Sequence, residues 1–198
     1  MANIESVVKI MNFHSLLRVE KAKKKAESLF DVETELLDLI KHILFNRNLK
    51  LDKRVLKANP RGETINIYLG NDLGFCGNFN SVLSKMSKSS TDTKNIIVGQ
   101  KIFNTLDNTI LQMTKEEFES NFEKIKEIIS PIIYDKKLKE LNVIYNKYYS
   151  VSEIKLETLN LFPMKVESSV EYKEDYAIEA DVSEVLTSLV LQYIYYEI

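Results

Sequence analysis

The chain has 198 residues, of which 44% are hydrophobic and 28% are charged, and its formal net charge is -2. These values lie near the averages for soluble globular proteins, so they exclude a disordered chain and a disulfide scaffold. The near-neutral charge also excludes a global basic field for nucleic-acid binding, and any electrostatic partner must meet a local cluster. One cysteine and two histidines leave no spacing typical of a zinc site.

The N-terminal segment 3–45 contains no proline or glycine and carries apolar or small residues at helical spacing. A helix of about 40 residues would be about 60 Å long, about twice the diameter of a small domain, so it must project. A pattern of this length is typical of a coiled coil or shaft, and its apolar stripe from Ala22 to Leu44 requires a partner. The early Glu5 and the interrupted apolar pattern argue against a signal peptide or a spanning helix. The single cysteine, Cys76, cannot form an internal disulfide, which favours a reducing, cytoplasmic location.

A polar connection over residues 46–63 ends in Pro60 and Gly62 and marks a change of architecture. After it, strands alternate with helices, which indicates a small parallel α/β sheet. The predicted strands are 64–69, 95–98, 141–150 and 154–161. The predicted helices are 79–87, 115–129 stopped by Pro131, and a C-terminal helix with Asp181 and Glu184 as a capping box. We expect two parts: the helix and connection at 1–60, and an α/β domain at 61–198.

The glycine-containing loop 70–81 (GNDLGFCGNFNS) lies between a predicted strand and a predicted helix, where phosphate and dinucleotide sites occur. Its spacing matches neither G-x-G-x-x-G nor the P-loop, and it contains no lysine to meet a phosphate, so nucleotide binding is not favoured. Cys76 lacks a nearby histidine, because His14 and His42 lie in the long helix, and we expect the thiol to pack as a small buried residue.

Three carboxylates, Asp72, Asp92 and Asp107, are compatible with general acid–base chemistry and equally compatible with caps and turns. The residues alone therefore indicate an α/β domain with a projecting helix, most consistent with an interaction protein. They predict no catalytic residue, no metal site and no cofactor.

The loop also resembles the hallmark S-D-R-G-L-C-G-G-x-N of the gamma subunit of F-type ATP synthases. It stands here as NDLGFCGNFN at 71–80, with Leu73 at the position of the family's arginine. Further segments follow in the family's order: IIVGQK at 96–101, VIYNKYYS at 143–150 and LETLNLFP at 156–163. The passage into the last helix is also similar, although Ala180 replaces a favoured proline. The loop residues that match are Asp72, Gly74, Cys76, Gly77 and Asn80.

The resemblance implies a long projecting N-terminal helix of the coiled-coil shaft type and a small Rossmann-like parallel α/β domain. It implies a non-catalytic central-shaft subunit of an F-type rotary ATPase, which couples ATP hydrolysis or synthesis in an α/β hexamer to rotation. The setting would be proton transport, or a specialised F-like ATPase such as a mycoplasma gliding motor. The alternative is a free-standing α/β nucleotide-binding domain or enzyme.

The implied partners are ATPase α- and β-like subunits, an epsilon-like subunit, and a further stalk or linker protein that covers the N-terminal helix. Because the family's long second shaft helix extends further than this sequence, we expect a shortened shaft. Nucleic acid and direct membrane insertion are not expected, and the complex would bring the chain to the inner face of the cell membrane. The candidate contacts with the hexamer are Arg18, Lys21, Lys23, Lys24, Lys25, Leu29, Leu36 and Ile40.

Overall fold

A computed structural model describes residues 4–46, 49, 53–74, 76–89, 92–103, 108–150, 153–165 and 178–198. It combines one long helix with a mixed α/β body, which confirms the predicted fold class. The helices are α1 (Ile4–Phe45), α2 (Phe79–Ser89), α3 (Lys115–Ser120), α4 (Glu123–Tyr134) and α5 (Val182–Glu197), with a short 3-10 helix at Lys53–Leu56. The strands are β1 (Glu63–Leu69), β2 (Lys94–Val98), β3 (Thr109–Met113), β4 (Leu138–Ser150) and β5 (Glu153–Phe162).

The five strands form one sheet in the order β3-β2-β1-β4-β5. The first four are parallel to their neighbours, and β5 pairs antiparallel with β4. The central strands β1 and β2 are almost continuously buried, as is typical of parallel strands covered on both faces. The sequence did not predict β3, because this edge strand is half exposed and carries no apolar run.

The predicted helix 115–129 is wrong in its bounds, since two helices occupy this region. A complete capping box starts α3: Thr114 accepts a hydrogen bond from the Glu117 N–H, and the Glu117 carboxylate accepts one from the Thr114 N–H. The helix is interrupted at Asn121, the C-cap of α3. Pro131 lies inside the last turns of α4 rather than beyond its end. A proline near a helix end removes few hydrogen bonds, so α4 continues to Tyr134.

The larger core lies on the face of the sheet that α4, α5 and the lower part of α1 cover. Asp181 caps α5 by accepting hydrogen bonds from the backbone N–H groups of Ser183 and Glu184, at 2.9 and 3.0 Å. The apolar side of α5 packs against the last turns of α1. The α1 side chains buried there are Leu36, Ile40, Ile43 and Leu44.

The other face of the sheet is covered by α2, whose Leu83 packs in a small apolar cluster with Tyr68 and Ile144. Beside this cluster, a row of asparagines crosses the sheet. Asn160 of β5 donates to the Asn142 side-chain oxygen of β4 at 2.9 Å, and Asn142 donates to the Asn66 side-chain oxygen of β1 at 3.1 Å. These side chains are direct partners in the strand register, so the row ties three strands together.

Candidate functional site

The N-terminal part of α1, residues 4–30, is exposed along its whole length. Its large apolar side chains are distributed around the helix instead of forming one stripe, a pattern typical of a helix enclosed by other protein. A single helix in water is marginally stable at best, and the described residues of the chain leave this segment uncovered. The exposed large apolar residues here are Ile4, Val7, Val8, Ile10, Met11, Phe13, Leu16, Leu17, Val19, Leu29 and Phe30.

The same segment presents five cations within eight positions, all of them exposed. Lys23 makes a loose ion pair with Glu27 at 3.8 Å, one helical turn away. Side chains three and four positions apart share a helix face, so Arg18, Lys21 and Lys25 face the same side. The segment is therefore suited to contact an acidic partner surface. The five cations are Arg18, Lys21, Lys23, Lys24 and Lys25.

The three apolar candidates for the hexamer contact lie in different environments. Leu29 is 36% exposed and belongs to the free part of α1. Leu36 is 7% exposed and Ile40 is fully buried, and both pack in the core of the chain itself. The predicted uncovered stripe from Ala22 to Leu44 therefore divides near residue 35, and α5 covers its lower end.

The motif loop, residues 70–80 between β1 and α2, is held by the carboxylate of Asp72. One oxygen of Asp72 accepts a hydrogen bond from the Gln100 N–H at 2.8 Å, and the other accepts one from the Lys115 N–H at 2.9 Å. Gln100 follows β2 and Lys115 follows β3, so one side chain connects the carboxyl ends of three neighbouring strands. Of the two roles open to Asp72, the structure shows a turn and capping role.

Asn80 fixes the other end of the motif loop and is almost fully buried. Its side-chain oxygen accepts from the Asn71 N–H at 2.9 Å, and its amide donates to the carbonyl oxygens of Asn71 and Leu73 at 3.2 and 3.3 Å. The Asn80 side chain thus supplies hydrogen-bond partners to backbone groups of Asn71 and Leu73. Backbone N–H and C=O groups that are shielded from water need such partners.

The remaining motif residues shape the exposed tip of the loop. Gly77 has φ = 57°, a left-handed conformation that favours glycine, whereas Gly74 has open space on its side-chain face. Cys76 is exposed, and the prediction that it packs in the interior is wrong. Its thiol lies 3.6 Å from the Leu73 carbonyl oxygen and 3.5 Å from that of Gly74, because the loop folds back on itself.

A basic cleft of about 440 Å³ lies between the motif loop, α2 and the turn after β2. Two large apolar side chains line the cleft: Leu73 is 67% exposed and Phe103 is 62% exposed. The Phe103 N–H donates to the Ser84 hydroxyl of α2 at 3.1 Å, which fixes this turn against the helix. Among the described residues that line the cleft there is no carboxylate, and three are lysines: Lys85, Lys88 and Lys101.

These three lysines were not among the predicted site residues. Lys85 and Lys88 are three residues apart, which places them on one face of α2. This spacing is the feature of the sequence from which a basic surface could have been predicted. Lys101 lies near them because β1 pairs with β2. This pairing brings the turn after β2 beside the motif loop, which follows β1.

The candidate metal ligands and the two histidines can be placed in the described parts of the chain. There, no group of three or more His, Cys, Asp or Glu side chains is placed to hold a metal ion. His14 and His42 both lie on α1, and His42 contacts the Asp38 carbonyl oxygen at 2.8 Å. No helix within the described ranges is long and apolar enough to cross a membrane.

Comparison with known proteins identifies the family. A family model described as ATP synthase matches residues 1–198. The ATP synthase gamma chain of Ehrlichia canis is 26% identical over 98% of this chain and 77% of its own length. That of Mycoplasma capricolum is 21% identical over 97% of this chain and 72% of its own length.

A similar fold occurs in the central stalk of the Tetrahymena thermophila mitochondrial ATP synthase, solved by cryo-EM with the c-ring. The TM-score is 0.50 with 14% identity, and the match covers 87% of this chain and 88% of that one. None of these matches supports a free-standing nucleotide-binding domain or enzyme. With the family match over its whole length, the chain belongs to the ATP synthase family, among the gamma chains that form the central shaft of F-type rotary ATPases.

Proposed function

We propose that this chain transmits mechanical work between rotation and the nucleotide sites of ATPase α- and β-type subunits, with α1 as its lever. One observation carries the proposal. The base of α1 is buried in the body through Leu36, Ile40, Ile43 and Leu44, whereas residues 4–30 are exposed. A lever needs one fixed end and one end that is free to contact the parts it moves, and the buried base and exposed N-terminal segment of α1 suit these two roles.

The lever itself needs no catalytic group. ATP chemistry would occur in the partner subunits, and this chain would bias their conformations through contacts that differ from one subunit to the next. Only such differential contacts can shift a conformational equilibrium. A helix with exposed apolar side chains all round, and with Arg18, Lys21 and Lys25 on one side, offers different contacts in each direction.

The basic run of α1, Arg18 and Lys21 to Lys25, would face acidic segments of the surrounding subunits. Such exposed charge pairs contribute about 0.2–1 kcal/mol each and are screened by salt, so the contact would weaken as ionic strength rises. The exposed apolar residues of α1, including Leu29, would supply most of the buried area.

The basic cleft beside the motif loop would form a second contact. Its three lysines and its apolar pair, Leu73 and Phe103, suit an acidic segment that also carries an apolar side chain. The motif loop residues Asp72, Gly74, Cys76, Gly77 and Asn80 would then hold and border this contact. An epsilon-like subunit and a further stalk protein are additional proposed partners, and the assembled complex would attach the chain to the inner face of the membrane.

Reconstitution with the α- and β-type subunits of the source organism tests the proposal. We expect the full chain to co-purify with them and to change their ATPase rate. Reversing Lys21, Lys24 and Lys25 to Glu should weaken association by about tenfold or more, since attraction is replaced by repulsion at each position. Lys124→Glu, an exposed lysine on α4, serves as the control and should leave association unchanged. A chain that remains monomeric and leaves the ATPase rate unaltered contradicts the proposal.

A further inference from the structure

Three segments that line the basic cleft meet at the hydroxyl of Ser84, in the middle of α2. The hydroxyl donates to the Asn80 carbonyl oxygen, one helical turn earlier, at 2.9 Å. It also accepts a hydrogen bond from the Phe103 N–H of the turn after β2 at 3.1 Å. Asn80 in turn holds the motif loop through its side chain. One half-buried side chain therefore connects the loop after β1, the helix and the turn after β2.

The orientation of this hydroxyl follows from its single proton. A serine hydroxyl has one O–H donor and two acceptor lone pairs. A carbonyl oxygen can only accept, so the Ser84 proton points to the Asn80 carbonyl, and the lone pairs remain for the Phe103 N–H. The bond to its own helix thus gives the hydroxyl a defined direction as the acceptor that holds the turn.

The turn after β2 is tied separately to the motif loop. The Asp72 carboxylate accepts a hydrogen bond from the Gln100 N–H at 2.8 Å. Ile102 is fully buried, and it packs so closely on Gly70 that a Cβ added there would lie 2.4 Å from the Ile102 Cδ1. Lys101 lies between these two anchored residues, so its backbone has a fixed position relative to the motif loop.

The bond from the turn to α2 concerns the other two lysines of the cleft. Lys85 directly follows Ser84 in the chain, and Lys88 lies one helical turn further along the same face. The hydrogen bond between Ser84 and Phe103 therefore sets the separation between the lysines of α2 on one wall and Lys101 on the other. It also fixes the backbone of Phe103, whose exposed ring is an apolar group of that second wall.

We propose that Ser84 is a positioning residue of the basic cleft, whose hydroxyl holds the two lysine-bearing walls at a fixed separation before an acidic partner segment binds. A site with its groups already in place binds more tightly, because less ordering remains to be done on binding. A fixed separation also makes the cleft selective for the spacing of the partner's carboxylates. This role rests on the proposed acidic contact at the cleft, and it identifies the side chain on which the selectivity of that contact depends.

Alanine at this position separates a positioning role from a role in folding. Alanine is the best helix former, so Ser84→Ala should not destabilise α2, and the fully buried Leu83 remains to hold the helix on the sheet. The Phe103 N–H loses its acceptor, while the turn keeps its ties to the motif loop through Asp72 and Ile102. We therefore expect the fold to persist while the separation of the two walls becomes variable.

Nuclear magnetic resonance of the full chain, isotope-labelled at its phenylalanine amide nitrogens, tests the proposal with the peptide EEELEEE as the probe at low ionic strength. The Phe103 amide signal, identified through Phe103→Leu, reports binding at the cleft and not at the basic run of α1. We expect Ser84→Ala to shift this signal in the free chain and to weaken peptide binding about threefold to tenfold, the range for one ordinary hydrogen bond. Ser84→Thr retains the hydroxyl and should restore both the signal and the affinity.

Ser89→Ala is the matched control and should leave binding unchanged, because the Ser89 hydroxyl donates to the Met86 carbonyl oxygen within the same helix at 2.8 Å. Replacing Lys85 and Lys101 together by Glu should abolish binding in the same measurement. If it does not, the acidic contact at the cleft is wrong and the positioning role falls with it. If that double variant loses binding, two results overturn the positioning role alone: Ser84→Ala binds as tightly as the unaltered chain, or Ser84→Thr binds as weakly as Ser84→Ala.

Discussion

The carboxylate of Asp72 accepts a hydrogen bond from the backbone N–H of Lys115 at 2.9 Å, across 43 residues of sequence. Its second oxygen accepts from Gln100, so the ends of β1, β2 and β3 are held by one side chain. The first residue of α3 is thereby placed against the motif loop, and the loop acquires its position from elements far along the chain.

Asp72→Asn should therefore lower the free energy of unfolding by about 1.5–3 kcal/mol, the range for hydrogen bonds to a charged group. The amide can accept only one of the two bonds, and its NH₂ group would oppose the other backbone donor. Urea unfolding measures the change. Asp92→Asn, on the opposite end of the strands, is the matched control, and an equal effect of both substitutions would contradict the assigned role.

Asn80→Ala should cost about 1–3 kcal/mol, because the Asn71 N–H and two carbonyl oxygens lose their partner in a nearly buried site. Asn78→Ala, an exposed asparagine two residues earlier, should change the unfolding free energy by less than about 0.5 kcal/mol. Thermal or urea unfolding of the pair gives the comparison. If the two substitutions have the same effect, the buried bonds do not stabilise the loop.

Brief tryptic digestion of the isolated chain should first cut within the basic run at Arg18 to Lys25. The described residues of the chain do not cover this part of α1, and isolated helices are marginally stable in water. The resistant product should begin after residue 25 and retain the buried residues from Leu36 to Leu44. Mass spectrometry of the products would locate the cuts. Early cleavage at Lys57 or Arg61, which releases all of α1, would show that α5 does not hold the base of the helix.

The capping carboxylate of Glu117 should make α3 sensitive to acid. The hydrogen bond from the Thr114 N–H is the main cause that lowers the pKa of Glu117 below its ordinary value of 4.5. The stabilisation is therefore present above about pH 4.5 and is lost as the pH falls through the lowered value. The difference in melting temperature between the unaltered chain and Glu117→Gln should shrink from pH 6 to pH 3. Glu116→Gln, in the same turn but outside the capping box, should show a smaller change.

The sequence predicts the central elements well because their burial is unambiguous. The apolar run of β1 and the glycine-free segment of α1 each have a single plausible structure. The edge strand β3 was missed because TILQM is partly solvent-facing and pairs with only one neighbour. The break at Asn121 was missed because the apolar spacing continues through it, and only the cap at Thr114 shows that a separate short helix begins there.

The site was harder to predict, since it depends on which segments meet. Apolar residues recur in α1 on both sides of residue 35, yet Leu29 is exposed and Ile40 is buried, because α5 packs only against the lower turns. Cys76 was expected in the interior, but it lies at the exposed tip of the motif loop. The loop is held by hydrogen bonds that the Asp72 carboxylate accepts and that the Asn80 side chain accepts and donates. The cleft lysines come from two segments that are separate in sequence.

The asparagine row across the sheet has a consequence for how the strands find their partners. A slip of one residue moves every side chain to the opposite face of the sheet and is strongly disfavoured, but a slip of two residues keeps each side chain on its own face. Such a slip of β4 would set Asn66 opposite Glu140 or Ile144 in place of Asn142. The buried Asn66 amide would lose a partner, at a cost of about 1–3 kcal/mol. The asparagine row thus distinguishes the observed register of β1 and β4 from registers shifted by two residues, which place apolar side chains on the same faces. It favours a single pairing of these two strands.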